Sequence, residues 1–136
     1  MKQLSKLLLL ALMMTPTLLA AETAIVNGGS SIGVLSDDEF KDYFTGKKST
    51  WPDGSRVIVL TLKSGSSHDA LLKQLGKNES QFVTGWKKLV FTGKGSMPEI
   101  RNTDADIVAL VAKTPGAIAY VNVDKVAEGV KAIAVK

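Results

Sequence analysis

Val57 to Leu62 reads Val-Ile-Val-Leu-Thr-Leu, a β-branched and almost uninterrupted apolar run. A strand that is apolar at successive rather than alternate positions has to be covered on both faces, so this segment is the expected centre of a sheet. Immediately after it come Lys63, Ser64, Gly65, Ser66 and Ser67. A helical stretch comes next, with Leu71, Leu72 and Leu75 at core spacing and Gly76 at its end. Strand, small polar loop and helix form the unit from which parallel sheets are built, because parallel neighbours need long crossovers.

The rest of the chain alternates in the same way. Ala24 to Asn27 is a short apolar run closed by Gly28 and Gly29, which predicts a first strand and turn. Ser36 and Glu39 make a capping box, each side chain satisfying an otherwise orphan backbone donor. A helix is expected from there to about Phe44, with Gly46 to stop it. Trp51, Pro52, Asp53 and Gly54 are turn chemistry. Asn78 with Gln81 opens a further helix, with Phe82, Trp86, Leu89 and Val90 on one face and Gly93 at its end. Thr103 with Asp106 opens a fourth, carried by Ile107, Val108, Leu110 and Val111. Pro115 and Gly116 turn the chain into a strand from Ala117 to Val121, and Ala132 to Val135 returns to the sheet. The expected fold class is α/β: a single open, largely parallel sheet with helices on both faces. The tetrapeptide Phe44-Thr45-Gly46-Lys47 recurs as Phe91-Thr92-Gly93-Lys94. Each copy ends a helix, and the pair reads as two similar C-caps rather than a duplicated domain.

Met1 to Ala21 differs in composition from the remainder of the chain. Lys2 and Lys6 make a basic start, and Leu7 to Leu19 is nearly all apolar but contains Thr15, Pro16 and Thr17. That is the layout of a cleavable signal peptide, and the run falls short of the roughly 20 apolar residues a spanning helix needs. Ala20 and Ala21 supply small residues for cleavage. The chain contains no cysteine, so lipid attachment at a cysteine and disulfide stabilisation are both excluded. Residues 22–136 suffice for one hydrophobic core, and the expected localisation is periplasmic. The full chain carries 17 basic and 13 acidic side chains; without Lys2 and Lys6 this becomes 15 against 13. That excess is too mild to indicate nucleic acid, and arginine occurs only at Arg56 and Arg101.

Chemistry has few places to sit. The amino end of a helix offers backbone N–H groups and the favourable end of the helix dipole to an anion. Lys63 to Ser67 has that arrangement: Gly65 permits close approach of backbone, Ser64, Ser66 and Ser67 add hydroxyls, and Lys63 adds charge. The same residues also fit a plain helix start, with Ser66 or Ser67 as cap and Asp69 as its acidic partner, and Asp69 would compete with an anion for the same donors. His68 is the sole histidine. A general base needs a nucleophile and an orienting group in geometry that adjacency to Ser66 and Ser67 does not create, so no enzyme is expected. One histidine, no cysteine and scattered carboxylates leave no metal cluster, and no cofactor is expected. Asp104 and Asp106 suit the dipole of the fourth helix. Trp86 lies on an apolar stripe and reads as core, whereas loop-borne Trp51 suits either core packing or ligand stacking.

Several segments taken in order resemble the phosphate-binding proteins of ABC-type phosphate uptake systems. Phe44 to Gly54 is similar to their "FxGKxxxWxDG" stretch. Val57 to Ser67 is similar to the strand and serine/glycine loop that come after it, and Phe91 to Lys94 and Thr114 to Val121 to the later "FxGK" and "TPGAIGYV" elements. Those proteins close two lobes around the anion, and this chain resembles the second lobe, as in small single-lobe members of the group. The resemblance implies phosphate or a related oxyanion as ligand, held by Lys63, Ser64, Gly65, Ser66 and Ser67. It implies as partners an ABC transporter permease or another envelope protein. Lys63 stands for the family's arginine and cannot reproduce its bidentate grip on an oxyanion. Ser67 and His68 stand for a glycine and a threonine, and Ala119 for a glycine. One lobe leaves the bonds to the anion in water, so binding by the monomer is expected to be weak or absent; two copies facing each other as a homodimer would close the site. The alternative is an envelope protein-interaction module that kept the lobe's fold without its ligand.

Overall fold

A computed structural model describes residues 22–122 and 127–136. The expected signal peptide, Met1 to Ala21, lies outside the described residues. The elements in chain order are β1 (Glu22–Asn27), β2 (Val34–Leu35), α1 (Asp37–Phe44), β3 (Ile58–Leu62), α2 (Ser66–Leu75), α3 (Glu79–Phe91), β4 (Glu99–Arg101), α4 (Asp104–Lys113), β5 (Ala117–Asn122) and β6 (Val130–Val135). They build one sheet in the order β2-β6-β1-β5-β3-β4. The pairs β2–β6, β3–β4 and β3–β5 are parallel, and β1 alone runs against its neighbours β5 and β6.

Side-chain alternation along the strands divides the core into two layers. On one face Ala24, Val26, Val59 and Ile118 pack under α1, α2 and α3, which contribute Phe40, Leu71, Phe82 and Trp86. On the other, Ile25, Leu60, Ala119 and Val121 pack under α4 through Ile107 and Val111. Helices on both faces of an α/β sheet are therefore what the chain has. Phe40 is fully buried, its ring 4.7 Å from Phe44 and 5.4 Å from Tyr120.

The apolar run of β3 predicts the centre of the sheet, and the structure corrects that expectation. β3 lies next to last, with β4 outside it, while β1 and β5 hold the middle. Its apolar run reports burial on both faces, Val59 in one layer and Leu60 with Leu62 in the other. Burial above and below says nothing about lateral position.

Val90 also departs from its expected place. It is 42% exposed, whereas Val83, seven residues earlier and so at nearly the same azimuth, packs against the core. The last turn of α3 therefore runs past the elements beneath it. Earlier in α3, Gly85 occupies an exposed helix-interior position with nothing within 4 Å of where a Cβ would stand. Gly85→Ala is expected to stabilise the fold by about 1 kcal/mol, seen as a higher urea midpoint, because only the helix propensity changes. A lowered midpoint would show that the glycine is needed there.

Candidate functional site

β3, β4 and β5 are mutually parallel through β3, so their carboxyl ends share one edge of the sheet. The chain leaving β3 goes outward to β4, while the chain leaving β5 goes the other way to β6. Connections that diverge from adjacent parallel strands leave a crevice, the usual ligand position in open α/β sheets.

The loop from β3 to α2 leaves the sheet at that carboxyl edge. Lys63 N–H donates to Arg101 O at 2.9 Å, carrying the β3–β4 ladder one residue past Leu62. Gly65 is the N-cap residue of α2, with φ 107° and ψ 177°, a backbone region that L side chains rarely adopt. α1 and α3 begin with reciprocal capping boxes, Ser36 with Glu39 and Asn78 with Gln81, and Thr103 Oγ1 accepts from Asp106 N–H at the start of α4. α2 has no side-chain cap. The expected capping role of Ser66 or Ser67 is therefore not what the loop uses. Asp69 is exposed, and its N–H closes the ordinary first helical bond to Gly65 O at 2.9 Å. The amides ahead of it have no intrahelical acceptor by helix geometry.

Of the sequence-derived site residues, Lys63, Ser64, Gly65 and Ser66 come together on the surface. Ser67 turns inward and is only 2% exposed. Its hydroxyl donates to Asp104 Oδ2 at 2.7 Å and accepts from Asn122 N–H at 3.1 Å, and the same Asn122 N–H lies 2.7 Å from Asp104 Oδ2. Ser67 Oγ is thus committed to tying the first turns of α2 and α4 to the end of β5, and only its backbone amide remains for a ligand. Asp104, expected only to complement the helix dipole, carries this second task. Arg101 joins the rim from β4, though its guanidinium turns back to Ile100 O at 2.8 Å and Glu99 Oε2 at 3.6 Å. Arg101 and Asn122 are not legible as site residues in the sequence, since neither lies in a local motif.

His68 points into the core and is 4% exposed. Its Nε2 is 2.5 Å from Glu79 Oε2, its ring meets Phe82 edge-on at 5.9 Å, and its Nδ1 is buried without a hydrogen-bond partner among the described residues. With Ser67 on Asp104 and His68 on Glu79, these hydrogen bonds pair no serine with the histidine. Trp51 and Trp86 both pack inward, their indole N–H groups donating to Gly116 O and Phe44 O at 3.0 Å. Trp51 sits 4.6 Å from the Tyr43 ring, which decides between packing and stacking in favour of packing. Among the described residues no group of three or more potential ligands could hold a metal ion, and no helix is long and apolar enough to cross a membrane.

No protein-family model matches the chain, and no curated protein matches it in sequence. Solved structures do match its fold. One, from Clostridium perfringens, is assigned as a phosphate ABC transporter substrate-binding protein and was solved with bound phosphate; it matches at TM-score 0.67 and 21% identity over 84% of this chain and 44% of its own. An ABC-type phosphate transport receptor from Vibrio cholerae matches at 0.66 and 14% identity, over 84% of this chain and 45% of its own. PstS from Borrelia burgdorferi matches at 0.63 and 13% identity, over 85% and 47%. The chain therefore has the fold of one lobe of such a binding protein and spans less than half the length of the structures it matches.

Proposed function

We propose that this chain is a periplasmic solute-binding protein of the phosphate-uptake type, which takes a small tetrahedral oxyanion, phosphate first among them, at the amino end of α2. The observation that carries the reading is the uncapped start of that helix, which opens at the carboxyl edge of the sheet through exposed Ser64, Gly65 and Ser66 beside Lys63. Backbone N–H groups, two hydroxyls and one ammonium can all donate to the same point, and none of them is a carboxylate, which is what an oxyanion requires. The phosphate held by the fold-related Clostridium perfringens protein supports the same ligand class. Met1 to Ala21 directs export, and an ABC permease or another envelope protein receives the ion.

Each hydrogen bond to a charged group contributes roughly 1.5–3 kcal/mol net, and a millimolar Kd corresponds to about −4 kcal/mol. A site open to water loses part of that sum to dielectric screening, so the expected Kd is millimolar. Calorimetric titration with phosphate, sulfate and chloride is the test. Heat is expected with phosphate and not with chloride, and Ser66→Ala should weaken binding about tenfold, the equivalent of about 1.4 kcal/mol. Silence with all three ions would end this reading. It would leave the second one, a lobe kept as a protein-interaction module, which the inward commitment of Ser67 Oγ favours.

A further inference from the structure

The two Phe-Thr-Gly-Lys tetrapeptides, far apart in sequence, meet in the structure. Each ends its helix in the same manner: Thr45 and Thr92 donate their hydroxyls back to Lys41 O and Lys88 O at 2.7 and 3.0 Å. The two corners are packed together, since a Cβ on Gly46 would stand 2.4 Å from Leu89 Cδ1 and 2.8 Å from the Trp86 ring. Between them lies a groove of about 410 Å³, floored by Phe82, Gly85 and Leu89 and rimmed by Lys47, Lys77, Lys88 and Lys94. No aspartate or glutamate lines it, and it shares no residue with the start of α2.

The two phenylalanines have opposite fates. Phe44 is fully buried, whereas Phe91 is 93% exposed on the overhanging turn of α3, beside Val90 at 42%. Lysines near a helix end complement its dipole, which accounts for Lys88 in the last turn of α3. It accounts equally for Lys77, just past the C-cap of α2 at Gly76, but not for the meeting of four lysines around one groove that no carboxylate lines, nor for a phenylalanine left in water. A protruding ring next to cations, with no carboxylate among them, fits a partner that is negatively charged at its surface and soft and apolar beneath. A rigid protein would need a pocket cut for Phe91; a bilayer needs none.

We propose that this face docks the protein on an anionic lipid bilayer, with Phe91 entering the headgroup layer and Lys47, Lys77, Lys88 and Lys94 meeting lipid phosphates. The sites differ, so this surface stands or falls independently of oxyanion binding at α2.

The test is co-sedimentation of the chain from Glu22 onward, which carries the whole sheet and both core layers, with vesicles of phosphatidylglycerol and phosphatidylcholine in equal parts or of phosphatidylcholine alone. Omitting the apolar leader removes its own affinity for lipid. Binding is expected to the mixed vesicles only, and to fall as salt rises. Lys88→Gln and Lys94→Gln should each weaken it about fivefold, since a lysine near an anionic surface contributes about 1 kcal/mol. Phe91→Ser should weaken it further. Gly85→Glu, where a side chain meets nothing, should keep the fold and abolish binding. Lys113→Gln, on the α4 side of the sheet, should leave it unchanged. Absence of binding to the mixed vesicles overturns the proposal, and so does binding that Phe91→Ser and Gly85→Glu leave intact. Capture of an acidic protein through Phe91 without vesicle binding overturns it in favour of a protein partner.

Discussion

Gly116→Ala is expected to destabilise the fold by about 3–4 kcal/mol, the sum of a strained dihedral and a backbone collision. Gly116 has φ +82°, and a Cβ there would stand 2.4 Å from Arg56 O. That carbonyl cannot retreat freely. Gly116 O accepts both Ile58 N–H and the Trp51 indole N–H at 3.0 Å, and Val57 N–H is bonded to Ser49 O at 2.9 Å. The turn before β5, the start of β3 and the buried tryptophan loop are thus one connected unit. Gly93→Ala separates the two contributions, because Gly93 has φ +72° with nothing within 4 Å of its Cβ position. It should cost only the dihedral strain, about 1–2 kcal/mol. Urea denaturation monitored by tryptophan fluorescence measures both. Equal losses in the two variants would mean that the Arg56 carbonyl yields easily and that the unit is looser than its hydrogen bonds imply.

Legibility in the sequence tracks the range over which each interaction acts. Ser36 with Glu39 and Asn78 with Gln81 are readable as caps and are caps, because both partners lie within one turn. Leu71, Leu72 and Leu75 are readable as core for the same reason. Ser67 is not readable, since its partners Asp104 and Asn122 lie 37 and 55 residues away and no local spacing announces them. β4 escapes notice because its three residues are all exposed and show no period, and β2 has only two. The paired tetrapeptides mark the limit most sharply: identical letters place Phe44 in the core and Phe91 in solvent. The helix signal is the same in both copies, and only the tertiary surroundings differ.

The uncapped start of α2 is held in place by a side chain from another helix, and that makes Asp104 the most informative residue to change. Its carboxylate receives the Ser67 hydroxyl and the Asn122 N–H, each at 2.7 Å. Hydrogen bonds to a charged acceptor contribute about 1.5–3 kcal/mol each, and water can reach part-exposed Asp104 to replace some of that. Asp104→Ala is therefore expected to cost about 2–3 kcal/mol. Ser67→Ala in the same background should add little, because the two residues share one network. The Asp104→Asn variant keeps the shape and removes the charge, and there the two properties should part. Stability falls, while phosphate affinity rises about fivefold, because a negative charge several ångströms from the α2 amides opposes an anion by on the order of 1 kcal/mol. A protein that is both less stable and a tighter binder is what an anion site at α2 demands. If Asp104→Asn lowered stability and left phosphate heat unchanged or absent, the carboxylate would be a structural tie alone, and the anion, if one binds, would sit elsewhere.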